Sequence, residues 1–151
     1  MRSKLVEKLK VVVDTNNVVS APFSEHGNPA RIFELILIQE ITNFTSDKII
    51  EEITDVLNRD KFKRILSKDK IKFIIKNFKK FSILVNPNFK LDIIKEDADD
   101  NIILECAVTA NAEYIISGDN HLLNLGHYKN SKIVSPKQFL DIYLEHIKKL
   151  Q

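Results

Sequence analysis

Apolar positions along the chain switch repeatedly between two periods. Lys10 to Asp14 (KVVVD) places three β-branched residues in a row, the pattern of a strand covered on both faces. Asn28-Pro29 then opens a run at helical spacing that continues to about Gln39, with Asn28 expected as the cap and Pro29 at the first helical position. Ile41 to Thr45 reads as a second strand, and Ser46 as the cap of a helix through about Asn58. Lys68 to Phe81 is amphipathic, Ile83 to Val85 a short strand stopped by Asn86-Pro87, and Asp97 to Ala110 a helix with Asp97 as its cap. Tyr114 to Ser117 (YIIS) is another buried strand, Ile133-Val134 a weak last one, and Ser135-Pro136 starts a helix to about Lys148. Strands alternating with helices of ten or more residues predict a three-layer α/β fold with a mainly parallel central sheet flanked by helices. Sites in such folds form beyond the carboxyl ends of the strands, so chemistry is expected at Asp14 and around Gly118-Asp119.

The bulk numbers narrow the class without choosing it. At 151 residues, 44% hydrophobic and 29% charged, the chain is expected to form one globular domain over residues 1–151. Cys106 is the single cysteine, which excludes an intrachain disulfide framework. The apolar run after the basic N-terminus is only Val11-Val12-Val13, too short for an export signal, and no stretch approaches the roughly 20 apolar residues of a membrane span. A cytoplasmic protein with no membrane association is expected. The net charge of +2 conceals an uneven distribution. From Arg59 to Lys80 ten cations face only Asp60 and Asp69, a local net of +8, whereas from Asp92 to Asp100 five acids face Lys95. A basic stretch beside concentrated acids suits a protein that holds a polyanion near a cation site, although Lys-rich amphipathic helices are also often just solvated.

Asp14 directly follows VVV, and Asp119 follows YIIS just ahead of a short helix. Adjacent strands lie about 4.8 Å apart, so carboxylates at neighbouring strand ends can share one cation. Taken singly, each aspartate is equally explained as a turn or cap residue. On the helix after Ser46 the stripe is Ile49, Ile50, Ile53, Val56 and Leu57. At about 100° per residue, Glu52 falls roughly 90° from the centre of that stripe and Glu51 roughly 170°. Glu52 therefore borders the core, while Glu51 and Asp55 face water. By the same count Asp100 lies about 70° from the stripe of its own helix, whereas Asp99 has no clear assignment. Carboxylates are the ligands that hard cations such as Mg²⁺ and Mn²⁺ prefer, and no Cys and His set for zinc is present. Crowded carboxylates repel unless a cation lies among them, and such cations can activate water and steady the oxygens of a phosphodiester displacement. His26, His121, His127 and His146 are scattered, and His121, though close to Asp119, is expected at the surface.

The segments VVVDTN, EITDVLNRDKF, DADDNIILECAVTANAEYIISGDNHLL and SPKQFLDIY resemble the PIN-domain nucleases, and within them the prokaryotic toxins of toxin–antitoxin pairs. The similarity runs from Val11 to about Leu144, and D-x-x-D…SGDxxLL is its most specific piece. The resemblance implies a Rossmann-like sheet, Mg²⁺ or Mn²⁺, and endonucleolytic cleavage of RNA. It maps the four catalytic and metal-holding acids onto Asp14, Glu52, Asp100 and Asp119, with Thr15, Asn16 and Asp97 as accessory residues. Asn17 departs from the pattern, since an apolar residue is usual there. Partners implied are an RNA substrate, an antitoxin protein and a second copy in a homodimer, and the basic segment, with Lys61, Lys63 and Arg64, is expected to contact the nucleic-acid backbone. Alternatives are a non-catalytic RNA-binding module of the same fold and a metal-dependent DNA nuclease. An aspartyl phosphotransfer domain is disfavoured, because it commonly wants a second aspartate where Asn16 stands.

Overall fold

The computed structural model describes residues 7–150; residues 1–6 and 151, the two ends of the expected domain, lie outside them. Strand β1 (Lys10–Val13) leads into helix α1 (Thr15–Ser20), a 3₁₀ turn (Ala21–Phe23) and α2 (Asn28–Leu37). Then come β2 (Thr42–Thr45), α3 (Asp47–Leu57), α4 (Asp60–Lys63), α5 (Lys68–Lys80) and β3 (Ile83–Leu84). After a long loop follow α6 (Asp100–Ala110), β4 (Tyr114–Ile116), α7 (Asn120–Leu125), β5 (His127–Tyr128), β6 (Ser131–Val134) and α8 (Pro136–Lys148).

The strands form one sheet in the order β3-β2-β1-β4-β6-β5. All pairings are parallel except that of β5 with β6, so the expected three-layer, mainly parallel α/β fold is the one observed. Val11, Val12 and Val13 are no more than 1% exposed, as a central strand covered by helices on both faces requires. The chain runs outward from β1 through β2 to β3 and then crosses back to β4. The direction of winding therefore reverses between β1 and β4, and the sheet opens a crevice beyond their carboxyl ends.

Local chemistry sets most boundaries. Ser46 caps α3, its Oγ accepting from the Ile49 N–H, and Ser135 with Gln138 forms a reciprocal capping box at α8. Asn111 ends α6 in the left-handed region at φ 51°, a conformation asparagine tolerates better than most residues. Two expectations are corrected. Asn28 is the first residue of α2 rather than its cap; Gly27 takes the cap position. Asp97 does not cap α6, which starts three residues later, because bonds from the Asp100, Asn101 and Ile102 N–H groups to the Asp97, Ala98 and Asp99 carbonyls wind residues 97–99 into tight turns. Helices α1 and α4 and strand β5 are additions, each too short to show a period, and the expected last strand at Ile133-Val134 extends back to Ser131 as β6. Among the described residues no helix is long and apolar enough to cross a membrane.

Candidate active site

Four segments far apart in sequence deliver carboxylates to the crevice. The Asp14 N–H donates to the Ile116 carbonyl (2.9 Å), which seats the end of β1 beside the end of β4. One residue further along, the fully buried Ser117 joins the two sides. Its Oγ donates to Asp14 Oδ2 (2.6 Å) and accepts from the Asp119 N–H (2.9 Å). Asp119 also caps α7, with Oδ1 accepting from the His121 and Leu122 N–H groups (2.7 and 3.3 Å). The structural and the chemical readings of this aspartate therefore coexist. Asp100 opens α6 and is only 5% exposed, and its buried Oδ2 has no hydrogen-bond partner. Glu52 is half-buried on α3, while Glu51 and Asp55 are exposed, as the angular count predicts.

The electrostatics show that these groups sense one another. Burial pushes Asp14 up to about 6; the Ser117 hydroxyl and the Thr15 and Asn16 N–H groups draw it down, and the Asp119 charge drives it up. Burial pushes Glu52 up to about 7, helped by the charges of Asp99, Asp14 and Asp97. Asp100 rises to about 8, again through burial first and then through Asp119, Asp97 and Asp14. A buried carboxylate without a partner is costly, and several at one place are tolerated as anions only with a positive ion among them. The donor set is mostly carboxylate oxygen, which suits a hard divalent cation. The orphaned Oδ2 of Asp100 is the kind of atom such an ion would satisfy.

All four expected acids thus lie within electrostatic reach of another member of the set, but they are not equally close. Among the described residues the tight group is Asp100, Asp119 and His121, whose ligand atoms lie within 4.8 Å of one another. Of the accessory residues, Thr15 is buried beside Glu52 and lowers its pKa without a full hydrogen bond. Asn16 is exposed, and Asp97 closes a turn by accepting from the Asp99 N–H (3.0 Å). Lys61, Lys63 and Arg64 are exposed on and just after α4, which packs against the helix carrying Glu52.

Several site residues escape sequence reasoning. Asp99, left unassigned by the angular count, is the foremost charge acting on Glu52. His121, expected at the surface, is exposed yet directs Nδ1 to 3.7 Å from Asp119 and 3.8 Å from Asp100. Ser117 carries one weak signal, a polar side chain closing an otherwise apolar strand. Asn101 fixes the loop before α6: its Oδ1 accepts from the Ile93 and Ile94 N–H groups, and its Nδ2 donates to the Ile94 carbonyl. Nothing in its spacing announces that role.

Comparison with known proteins agrees with this geometry. A PIN-domain family profile matches residues 10–121. An uncharacterized protein of Methanocaldococcus jannaschii is 32% identical over 149 residues, covering 93% of this chain and 95% of its own length. The fold is similar to the PIN domain of RRP44 from T. brucei, with a TM-score of 0.50 at 11% identity, over 95% of this chain and 85% of that one. PIN domains generally use divalent metals, in keeping with the acidic cluster. With its profile match, its sheet order and its acids at the strand ends, the chain belongs to the PIN-domain family of nucleases.

Proposed function

We propose that the protein is an Mg²⁺- or Mn²⁺-dependent endoribonuclease and the toxin of a toxin–antitoxin pair. One observation carries the catalytic part. Carboxylates from three separated segments, Asp14 and Asp100 buried and Glu52 half-buried, are each pushed into the range of about 6 to 8 by burial and by neighbouring acids. A group of acids arranged against its own ionisation is a poor structural device and a good receptor for divalent cations.

Asp14, Glu52, Asp100 and Asp119 hold the cations. When bound, these ions supply Lewis acidity for phosphodiester hydrolysis and a more acidic water. The chain's own residues arrange the rest. Ser117 fixes the Asp14 carboxylate and the Asp119 backbone relative to each other. Thr15 flanks Glu52, and Lys61, Lys63 and Arg64 contact the RNA backbone from the exposed rim. The expected products carry 5′-phosphate and 3′-hydroxyl ends. An antitoxin segment covering the acidic groove and a homodimer complete the reading.

The test is manganese-dependent cleavage of end-labelled RNA, with a matched single-stranded DNA run in parallel. Asp14→Asn should abolish cleavage while the circular dichroism spectrum stays native; retained activity would remove Asp14 from the mechanism. Preference for DNA would convert the proposal into a DNA nuclease. For the toxin role, expressing the chain without its neighbouring gene product should slow growth, and an absence of effect would favour a housekeeping nuclease.

A further inference from the structure

The acids of the crevice offer only oxygen, but the residue two positions past Asp119 brings nitrogen to the same place. His121 Nδ1 lies 3.7 Å from Asp119 Oδ1 and 3.8 Å from Asp100 Oδ2. With bonds of about 2.1 Å to a common ion, ligand atoms sit about 3.0 Å apart when adjacent and about 4.2 Å apart when opposite. Both histidine separations fall between those limits, and all three ligand atoms lie within 4.8 Å of one another, so side-chain rotation can bring them onto one ion. The Asp100 atom concerned is also the one left without any hydrogen-bond partner in a residue 95% removed from solvent. An unpaired buried carboxyl oxygen and a ring nitrogen thus lie across a gap of ligand size.

From this juxtaposition we infer that His121 is a direct ligand, through Nδ1, of a divalent transition-metal ion held by Asp100 and Asp119. The inference rests on the proposed metal-dependent reading and deepens it by stating which ions the site prefers. Coordination through Nδ1 needs the neutral ring with its proton on Nε2, and His121 as a whole is exposed. Imidazole adds little for Mg²⁺, which prefers oxygen, and more for ions further along the transition series. The set Asp100, Asp119 and His121 therefore selects Mn²⁺, and more strongly Co²⁺, over Mg²⁺. The remaining acids, Asp14 and Glu52, offer oxygen only.

The deciding measurement is pulsed electron paramagnetic resonance on the full chain loaded with Mn²⁺ alone, read for ¹⁴N coupling from an imidazole. The wild-type protein should show that coupling, and His121→Gln should lose it while still binding Mn²⁺ at the acids. Titration should place the Mn²⁺ affinity of His121→Gln about tenfold or more below wild type, with the Mg²⁺ affinity changed by less than about threefold. His121 is exposed, so the variant should fold, and its circular dichroism spectrum checks this. Bound Mn²⁺ with no nitrogen coupling would overturn the assignment and leave the carboxylate site standing. Coupling that survives in His121→Gln would also overturn it, pointing to another histidine. If wild type binds no Mn²⁺ and Asp100→Asn behaves identically, the metal-dependent reading itself fails and the inference falls with it.

Discussion

The acidic crevice and the basic segment from Arg59 to Lys80 are the two most charged regions of the molecule, and they obey different physics. All ten cations of the basic segment are exposed, and among the described residues none lies within ion-pair distance of a carboxylate. They are open to solvent, with Lys61, Lys70 and Lys80 lying over neighbouring phenylalanine rings, so their effects should be small, additive and screened by salt. The acids are the reverse. Asp14 and Asp100 are buried, Glu52 is half-buried, and each has its pKa pushed up by its own burial and by its neighbours. The Asp14 charge alone bears on both Glu52 and Asp100. A charge set that opposes its own ionisation marks a place arranged for something other than stability.

That contrast breaks most sharply at Asp100. Asp100→Asn should lower manganese-dependent cleavage by about a hundredfold or more, the scale of losing a group aimed at developing charge. The same substitution should raise the melting temperature of the metal-free protein, since it removes a buried carboxyl held up at about 8. Lost activity together with gained stability would distinguish a site acid from a structural one. A fall in both would place Asp100 in the framework.

Ser117→Ala should have the next largest effect. It removes the bridge between Asp14 and Asp119, and roughly a tenfold loss of activity is expected, comparable to other losses of ligand-orienting partners. Because that hydroxyl holds the Asp14 pKa down, the rise of activity with pH should also shift upward in the variant. An unmoved pH profile would mean that Ser117 serves the fold and not the carboxylate.

On the basic side, replacing Lys61, Lys63 and Arg64 together with alanine should weaken RNA binding several-fold. It should also flatten the dependence of binding on salt by up to about two log units per log unit, at roughly 0.7 per phosphate contact on a single strand. Each single substitution should be nearly silent. A large effect from one of them alone would show that the segment contains a specific contact and not a diffuse field.

The smallest effect is on stability. Asp14, Glu52 and Asp100 all bind protons more tightly when folded than when unfolded. The metal-free fold should therefore lose stability as pH rises from about 4 through about 8, by a few degrees in melting temperature. Below that window the groups are protonated in both states and the effect vanishes. Saturating Mn²⁺ should flatten or reverse the slope. A slope unchanged by metal would mean that no cation resides among these carboxyls.

The acids were legible because a strand end and a helix flank leave a one-dimensional trace. Asp14 follows three valines, and Glu52 stands a quarter-turn from the stripe that Ile49, Ile53 and Leu57 bury. What the sequence hid has a cause as well. Asp97 looked like a helix cap because it precedes an apolar period, but tight turns at 97–99 delay the helix, and the Asn101 side chain pins the loop before it. His121 is exposed as expected, and its nearness to two carboxylates was hidden because exposure and proximity are separate properties.

Sequence alone determined the alternation of strands and helices, the strand ends at which the crevice opens and the core-bordering positions of Asp14, Glu52 and Asp100, because periodicity and residue type are local properties that burial then acts upon. Tertiary structure alone decided which atoms meet. The crossing from β3 back to β4 places Asp119 beside Asp14 with Ser117 between them, and the entry of α6 sets Asp100 facing His121. Contacts between residues a hundred positions apart depend on how the sheet is wound, and no spacing along the chain encodes that geometry directly.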